Sequence, residues 1–327
     1  MLIRHHSSGV SPFDAAITRL EIPVPYPLGT VNAYLLQGPE GVAVIDPGPK
    51  TPEAWMALTR GLAAHNLQPS DIDLVLLTHH HPDHYGLSGR LEEYGAAVQL
   101  LDVEMQAGHL FWADFEAQQS AFLPFCRQHG MPADALEVQD TELRRQRSHV
   151  TPPAHVQSFR DGDLLDAVGV PLRAIWTPGH ADGHVIFLHE PEGVVFAGDL
   201  VLERITPNIG RWAYSRPHPL QDFLASLNRL CELSPRAALT GHYGALEDPV
   251  RRGAELQAHH AGRLDHLQAA VSGRPQDAWQ ASFLLFPSPL SLEARRFAHA
   301  ETLAHLDVLV AEGRLQPCQD GARLMYT

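Results

Sequence analysis

Short apolar runs recur through the first hundred residues, and most are bounded by glycine, proline or aspartate. VNAYLLQ at 31–37 and GVAVID at 41–46 are rich in β-branched and aromatic residues and enclose the turn GPEG, which predicts a β-hairpin. Residues 51–64 have helical periodicity with a threonine cap and an early proline, and DLVLLT at 73–78 is a short, fully apolar run. The alternation of strand, helix and strand predicts an α/β protein.

The same alternation continues, with one interruption. A helix is predicted at 87–94, another at 220–230, and strands at 96–101, 171–177, 184–190, 193–199 and 236–241. Residues 102–151 are polar, aromatic and helical in pattern, and we interpret them as an insertion or lid. From residue 249 the pattern is again helical and ends in the short strand GARLMYT. We therefore predict a first domain over 1–248 and a small winged-helix-like domain over 249–327.

The stretch LLTHHHPDHYG at 76–86 places histidines and an aspartate directly behind a predicted strand. Such polar density is costly inside an ordinary core. His79 and His81 alternate along an extended segment, so both imidazoles face one side, while Asp83 and His84 follow in the turn and can face a second point. His80, the remaining histidine, is expected to point away. This spacing predicts two neighbouring metal positions.

Three more candidate ligands each follow a predicted strand: His180, Asp199 and His242. A single buried histidine is more often a hydrogen-bonded core residue than a ligand, so the prediction depends on the combination and not on any one residue. Imidazole and carboxylate ligands suit a borderline metal such as zinc. His5, His6, His259 and His260 are expected at the solvated surface.

HxHxDH at 79–84, followed in order by His180, Asp199 and His242, resembles the metallo-β-lactamase superfamily over about residues 18 to 245. The resemblance implies an α/β (α+β) fold, a four-layer αββα sandwich. It also implies a ligand set by position. His79, His81 and His180 would hold a first metal, Asp83, His84 and His242 a second, and Asp199 would bridge them.

Two further residues have supporting roles by the same resemblance. Asp46 matches the aspartate that supports the metal ligands from behind, although an aspartate before proline also suits a turn. His184 either orients a ligand or caps its strand. The implied cofactor is a pair of divalent ions, zinc by preference, with manganese or iron as alternatives. The implied activity is hydrolysis by a hydroxide that bridges the two metals, and Asp83 would hold the attacking water or pass its proton to the leaving group.

Several substrates stay open. The tail resembles the superfamily branch of β-lactamase-like protein 2, which includes endoribonucleases and fungal thioesterases. We favour a small ester or thioester. The basic run RRQR at 144–147 supports a single-strand endoribonuclease as the second candidate. A lactonase ranks third, because LVLER after Asp199 lacks the tyrosine that the family's lactonases carry there. An iron-dependent redox enzyme is the remaining alternative, and the complete ligand set argues against its mononuclear form.

The loop behind Asp199 supplies candidate substrate contacts. Arginines near a metal pair can clamp a carboxylate or phosphate, and aromatic side chains can form an apolar wall. The candidates are Arg204, Arg211, Trp212, Tyr214 and Arg216.

Charge and composition narrow the range of partners. Lys and Arg total 24 against 38 Asp and Glu, a formal charge of -14, which disfavours nucleic acid and leaves RNA as a minor alternative to a small-molecule substrate. The three cysteines are far apart in sequence, which indicates a reducing compartment. The start has no apolar secretion segment, and no run of roughly 18 apolar residues follows. We predict a cytoplasmic protein without a membrane partner; a homodimer stays open.

Overall fold

The first β-sheet contains the predicted hairpin. The structure is a computed structural model that describes residues 16–327, so residues 1–15 of the predicted first domain, with His5 and His6, lie outside the described part. The strands of this sheet, in spatial order, are β1 (Ala16–Pro23), β2 (Thr30–Gly38), β3 (Gly41–Ile45), β4 (Leu74–Leu76), β5 (Ala97–Leu101) and β6 (Val156–Phe159). The first three strands pair antiparallel, which confirms the hairpin, and β3 to β6 pair in parallel.

The second sheet has five strands among the described residues. In spatial order they are β7 (Leu164–Ala167), β8 (Val170–Trp176), β9 (Val185–His189), β10 (Val194–Gly198) and β11 (Ala237–Thr240). Neighbouring strands pair antiparallel except β10 and β11, which are parallel. Parallel pairing sends the carboxyl ends of β10 and β11 to the same edge.

Helices cover the outer faces of both sheets. Those of the first 248 residues are α1 (Pro52–Ala63), α2 (Pro82–Tyr85), α3 (Ser88–Glu93), α4 (Asp102–Glu104), α5 (Leu110–Ala113), α6 (Phe115–Gln128), α7 (Ala133–Ser148) and α8 (Pro219–Leu233). Thr51 caps α1, because its Oγ1 accepts from the backbone N–H of Ala54 at 3.1 Å. Helices α4 to α7 occupy the segment that we interpreted as a helical insertion.

Alternating side chains in β2 show how the layers form. Tyr34 and Leu36 face the second sheet and share a core with Phe187 and Phe196, whereas Leu35 faces outward and shares a core with α1. A separate core joins the outer face of the second sheet to α8 and to the C-terminal helices. Both faces of both sheets are therefore buried, which explains their continuous apolar runs and confirms the four-layer αββα arrangement.

The C-terminal part combines helices with a small sheet. Its elements are α9 (Pro249–Val271), β12 (Gln276–Asp277), α10 (Ala278–Leu285), α11 (Leu292–Ala311), β13 (Pro317–Asp320) and β14 (Arg323–Tyr326), with β14 antiparallel to both other strands. The winged-helix assignment stays a prediction. None of the helices between residues 16 and 327 has the length and apolarity that a membrane crossing needs.

Helix α11 is buried along most of its length, including charged and polar residues such as Arg296 and Glu301. It packs against α7, α8, α9 and α10. The prediction that His260 is at the surface is wrong, because His260 is fully buried, whereas its neighbour His259 is exposed. The reason is helical spacing, since His260 shares the buried face of α9 with Leu256 and Leu264.

Candidate metal centre

The predicted ligands converge because each one leaves the carboxyl end of a strand at the same edge of the sandwich. The first group is His79, His81 and His180, whose ligand atoms lie within 4.8 Å of one another. His79 and His81 follow β4, and His180 follows β8. His79 Nε2 and His81 Nδ1 are 3.0 Å apart. The alternation along the extended segment thus places both imidazoles on one side.

The second group is Asp83, His84 and His242, again with ligand atoms within 4.8 Å of one another. The short helix α2 carries the first two, and His242 follows β11. His242 Nε2 lies 3.4 Å from Asp83 Oδ2.

Asp199, at the end of β10, lies between the two groups. Its Oδ2 is 3.5 Å from His180 Nε2 and 3.5 Å from His242 Nε2, and its Oδ1 is 3.5 Å from His84 Nε2. One carboxylate therefore contacts a histidine of the first group and two of the second.

Unpartnered buried atoms show that this arrangement suits cations. Among the described residues, Asp199 Oδ1 and the Nε2 atoms of His84, His180 and His242 are buried and have no hydrogen-bond partner. Leaving such atoms without a partner is costly. Two nitrogen ligands of one tetrahedral zinc ion are about 3.3 Å apart, given zinc–nitrogen distances of about 2.0 Å. The separations of 3.0 to 3.5 Å are of this kind, so the residues fit divalent cations.

Oxygen acceptors behind the histidines set which nitrogen faces the centre. Four Nδ1 atoms each lie beside an oxygen: His79 beside Thr78 Oγ1 at 3.0 Å, His84 beside Asp46 Oδ2 at 2.9 Å, His180 beside the Asn208 carbonyl at 2.9 Å, and His242 beside the Thr30 carbonyl at 2.7 Å. A hydrogen on Nδ1 leaves the Nε2 lone pair free for a metal. Thr30, Thr78 and Asn208 were not among the sequence candidates. Only Thr78 had a signal, its position directly before the motif.

Asp46 connects two of these supports. Its carboxylate accepts from the Thr78 backbone N–H at 2.9 Å, from the Thr78 hydroxyl at 2.6 Å and from His84 Nδ1–H. The Thr78 hydroxyl, whose proton goes to Asp46, is left to accept from His79 Nδ1–H. Asp46 has φ +54°, a left-handed conformation that aspartate and asparagine tolerate better than most residues.

His184 contacts Asp199 from behind. Its Nε2 accepts from the Asp199 backbone N–H at 3.1 Å, and its Nδ1 lies 2.8 Å from Thr177 Oγ1. Burial lowers the pKa of His184 to about 3, so the ring stays neutral and can accept that hydrogen bond. Gly198, with φ +48°, leaves the space for it, because a Cβ there would lie 2.8 Å from both His184 Nε2 and Thr78 Oγ1.

The histidines and carboxylates of the centre stabilise each other's charged forms even before a cation binds. Burial opposes the charged form of His84, but Asp199 and Asp46 outweigh it and raise its pKa to about 10. Asp199 and Asp83 likewise outweigh the burial of His242 and raise its pKa to about 11. Burial also opposes the charged form of Asp199, yet His242 and His84 hold its pKa well below the usual range. Cations must displace protons from His84 and His242, so their affinity rises with pH.

His80 points away from the ligand groups, as expected. Its Nδ1 lies 2.6 Å from Glu104 Oε1, and its backbone N–H donates to the same oxygen at 2.8 Å. The other Glu104 oxygen accepts from the Gly183 backbone N–H at 2.6 Å. Glu104, which the sequence pattern did not single out, therefore ties α4 to the two loops that carry the first group of ligands.

A cavity of about 400 Å³ opens beside the ligands. His81, Asp83, His180 and Asp199 line it, and so do Trp212 and Tyr214, both sequence candidates for substrate contact. Side chains from the helical insertion and from α11 complete its lining.

The three candidate arginines do not line this cavity. Arg204 lies 3.4 Å from Glu203, and Arg216 lies 3.4 Å from Asp222. Arg211 donates to the carbonyls of Trp212 and Ser215, at 2.7 and 3.0 Å. The expected role for these arginines is not met by the geometry, because they bind carboxylates and carbonyls of their own surroundings. Two other arginines line the cavity instead, Arg145 and Arg296.

The basic run at 144–147 is also engaged within the chain. Arg144 pairs with Glu116 at 2.8 Å, Arg145 pairs with Glu142 at 2.6 Å, and Arg147 donates to a backbone carbonyl. This leaves little free positive charge for a phosphate backbone.

A further polar cluster joins α9 to α11. The ligand atoms of His260, Glu301 and His305 lie within 4.8 Å of one another. His260 Nε2 is buried without a hydrogen-bond partner, but the other groups are engaged: His260 Nδ1 lies 3.2 Å from His305 Nε2, and Glu301 accepts from Arg263 at 2.6 Å and from Asn208 at 3.0 Å. The cluster is therefore explained as a buried contact between helices.

Comparisons with known proteins agree with this geometry. Residues 26–242 match the family model of the metallo-beta-lactamase superfamily, and residues 264–325 match that of the metallo-beta-lactamase-like C-terminal domain. A crystal structure of the metallo-beta-lactamase family protein TTHA1429 from Thermus thermophilus is 46% identical, with a TM-score of 0.87, over 95% of this chain and 97% of that one. The "Probable metallo-hydrolase YqjP" of Bacillus subtilis is 29% identical over 95% of this chain and 97% of its own length.

A more distant relative carries a more specific name. The "Thioesterase pkgB" of Emericella nidulans is 27% identical over 66% of this chain, which corresponds to 46% of its own length.

Proposed function

Because this chain belongs to the metallo-β-lactamase superfamily, we propose that it is a dinuclear metal-dependent hydrolase that acts on a small ester or thioester. The observation that carries the proposal is the convergence of two ligand groups on Asp199, with buried donor atoms left unpartnered between them. We assign the first position to His79, His81 and His180 and the second to Asp83, His84 and His242. Zinc is the preferred metal, since the donors are nitrogen and carboxylate oxygen.

Two divalent cations held there would lower the pKa of a water molecule toward neutrality and polarise the scissile carbonyl group. Side chains of the protein supply the proton transfer and the negative charge between the cations. Burial disfavours the charged form of Asp83, but His242 and His84 outweigh it and lower its pKa, so its carboxylate is ionised and lines the cavity. Asp83 is therefore placed to accept a proton from the attacking water and to return it to the leaving group. The negative charge of Asp199 lies between the two positions, where it would reduce the repulsion between two cations.

The shape and charge of the cavity favour an ester or thioester over RNA. A volume of about 400 Å³ lies in the range of small-molecule sites, and Phe111, Trp112, Trp212 and Tyr214 give it an aromatic wall. The arginines of the run at 144–147 are paired within the chain, and the formal charge is -14. The likeness to a protein named as a thioesterase supports the thioester. A lactone and an iron-dependent redox reaction rank behind.

We further propose that residues 249–327 are a separate domain that completes the site. Asp248 caps α9, because its Oδ1 accepts from the Arg251 backbone N–H at 2.9 Å, and this marks the boundary. The domain reaches the cavity through α11, where Arg296 and Phe297 form part of the wall.

The test combines metal content with a substrate panel. Purified protein is measured for bound metals and assayed against p-nitrophenyl esters, acyl thioesters, lactones and single-stranded RNA. We expect about two ions per chain and metal-dependent hydrolysis of an ester or thioester. His81→Ala should abolish activity, and His155→Ala, which alters an exposed histidine, should not. Turnover that survives in His81→Ala, or cleavage of RNA alone, would overturn the proposal.

A further inference from the structure

Arg296, on α11, is a buried arginine without a counter-ion at the wall of the cavity. Its exposed fraction is 3%, and it lines the same cavity as His81, Asp83, His180 and Asp199. No ion pair or hydrogen bond in the described part of the chain involves its guanidinium group, and its Nε atom is buried without a partner. The contact that the group does make is with the Phe297 ring, whose centroid lies 4.2 Å away.

The neighbouring Arg295 shows what a structural buried arginine looks like in this helix. Arg295 is equally buried, and it donates to the carbonyls of Ser282, Phe286 and Ser288 at 3.0, 3.1 and 3.3 Å. Its hydrogen bonds are thus largely satisfied. Arg296 has no such set, and a buried guanidinium that stays charged without an anion is strongly disfavoured.

Four carboxylates line the same cavity, those of Asp83, Glu142, Asp199 and Glu293, and none of them forms an ion pair with Arg296. Glu142 attracts Arg296 electrostatically but is hydrogen-bonded to Arg145, whose Nη2 donates to one of its oxygens at 2.6 Å and whose Nε donates to the other at 2.8 Å. Arg145 therefore has a carboxylate within hydrogen-bond distance, and Arg296 has none among the described residues. An anion that enters the cavity would find Arg296 as its open partner.

We propose that Arg296 binds an anionic oxygen group of the substrate, a carboxylate or a phosphate, remote from the bond that is hydrolysed. The substrate class is then an ester or thioester whose acyl part carries a carboxylate or phosphate group in addition to the scissile carbonyl. The planar guanidinium can bind either group by two parallel hydrogen bonds. This inference rests on the proposed hydrolase function for its substrate, while the binding of the anion can be measured without turnover.

The first test measures binding to the holoenzyme by isothermal titration. Glutarate and valerate have the same chain length and share one carboxylate, so their difference reports on the second charge. We expect glutarate to bind about 10- to 100-fold more tightly than valerate, the range for a charged hydrogen bond. Arg296→Met should remove the difference with its metal content unchanged. Arg160→Met, which alters an exposed arginine, should retain it.

The second test uses thermal unfolding and turnover. Glutarate should raise the Tm of the wild-type holoenzyme more than that of Arg296→Met, which also shows whether the variant folds. The ratio of kcat/KM for glutaryl over valeryl thioesters should fall by about 10- to 100-fold in Arg296→Met, mainly through KM. The ratio for Arg296→Lys should lie between those of the wild type and Arg296→Met, because lysine keeps the charge without the two-point geometry. Titration with 3-phosphopropionate in place of glutarate distinguishes the two anions, because the tighter-binding compound shows whether the site prefers a phosphate or a carboxylate.

The outcomes separate this inference from the proposed function. Equal binding of glutarate and valerate by wild type, or a preference that Arg296→Met keeps, would refute the role of Arg296 even if esters are hydrolysed. Glutarate binding that depends on Arg296 in a protein that hydrolyses no ester or thioester would support the anion site and overturn the proposed function.

Discussion

Replacing Asp46 with asparagine is expected to weaken the second metal position while leaving the fold intact. Asparagine has the same shape and tolerates the φ of +54° at this position. The Asp46 carboxylate receives three hydrogens, two from Thr78 and one from His84 Nδ1. The amide offers one acceptor oxygen and two donor hydrogens of its own. The Thr78 backbone N–H can only donate, so the amide oxygen should take the Oδ1 position, and the amide N–H groups then face the Thr78 hydroxyl and His84 Nδ1.

The size of the effect follows from the contact to His84. An amide N–H opposite His84 Nδ1–H favours the other tautomer, which places the hydrogen on Nε2 and removes the lone pair that faces Asp199 and the centre. A hydrogen bond to a charged group contributes about 1.5 to 3 kcal/mol. At about 1.4 kcal/mol per tenfold change, that is a loss of roughly 10- to 100-fold in affinity, as for other partners of metal ligands. His180 is supported by Asn208 instead, so the first position should retain the larger part of its affinity.

Competition with a zinc chelator measures both affinities. We expect Asp46→Asn to bind one ion nearly as the wild type does and the other about 10- to 100-fold more weakly. Asp73→Asn is the matched control, because Asp73 is exposed and accepts from the Val42 backbone N–H at 2.9 Å, away from the centre. Two ions bound by Asp46→Asn with wild-type affinities would refute the reasoning on the His84 tautomer.

Other perturbations test the same centre and its surroundings. Asp199→Ala removes the negative charge between the positions, so elemental analysis should show loss of one ion together with turnover; two ions still bound would contradict this. Chelation should lower the Tm by about 5 °C relative to protein in zinc at 100 times its Kd, because binding then stabilises by about 2.7 kcal/mol, and equal Tm values would argue against folding-coupled binding. In Gly241→Ala the new Cβ would overlap Asp199 Oδ1 and lie 2.8 Å from His84 Cε1, so metal affinity should fall in chelator titrations while far-UV circular dichroism stays unchanged. Burial lowers the pKa of His299 to about 4, so the folded state resists its protonation, and stability that is full above pH 6.5 should be lost as pH falls toward 4. The free energy of unfolding measured in urea should differ between pH 7 and pH 5 by about 2 kcal/mol less in His299→Gln than in wild type. An equal difference in the two proteins would rule out this histidine as the cause.

The sequence predicted the parts of the site that depend on strand ends and missed those that depend on the backbone or on distant helices. His79, His180 and Asp199 could be found because carboxyl ends of strands meet at one edge. The carbonyls of Thr30 and Asn208 could not, since any residue provides a carbonyl and only the folded chain places it beside a histidine.

The arginines show the same limit. The loop behind Asp199 suggested Arg204, Arg211 and Arg216, yet local carboxylates and carbonyls bind all three. Arg296 lies 80 residues after Arg216, on α11, and was not among the sequence candidates. Its place at the cavity follows from the packing of α11 across two domains, which no local pattern encodes.

The position of Asn208 gives the C-terminal domain a second contact with the centre, apart from the cavity wall. Its carbonyl accepts from His180 Nδ1–H at 2.9 Å, and its side-chain amide donates to Glu301 Oε2 at 3.0 Å. Arg263 of α9 binds the other Glu301 oxygen at 2.6 Å. The hydrogen bond that orients His180, which we assign to the first metal position, is thus connected through Asn208 and Glu301 to the contact between α9 and α11. Because Asn208 is part of a loop and Glu301 part of a buried helix, the helix holds the loop in place, and the C-terminal domain supports His180 as well as lining the cavity.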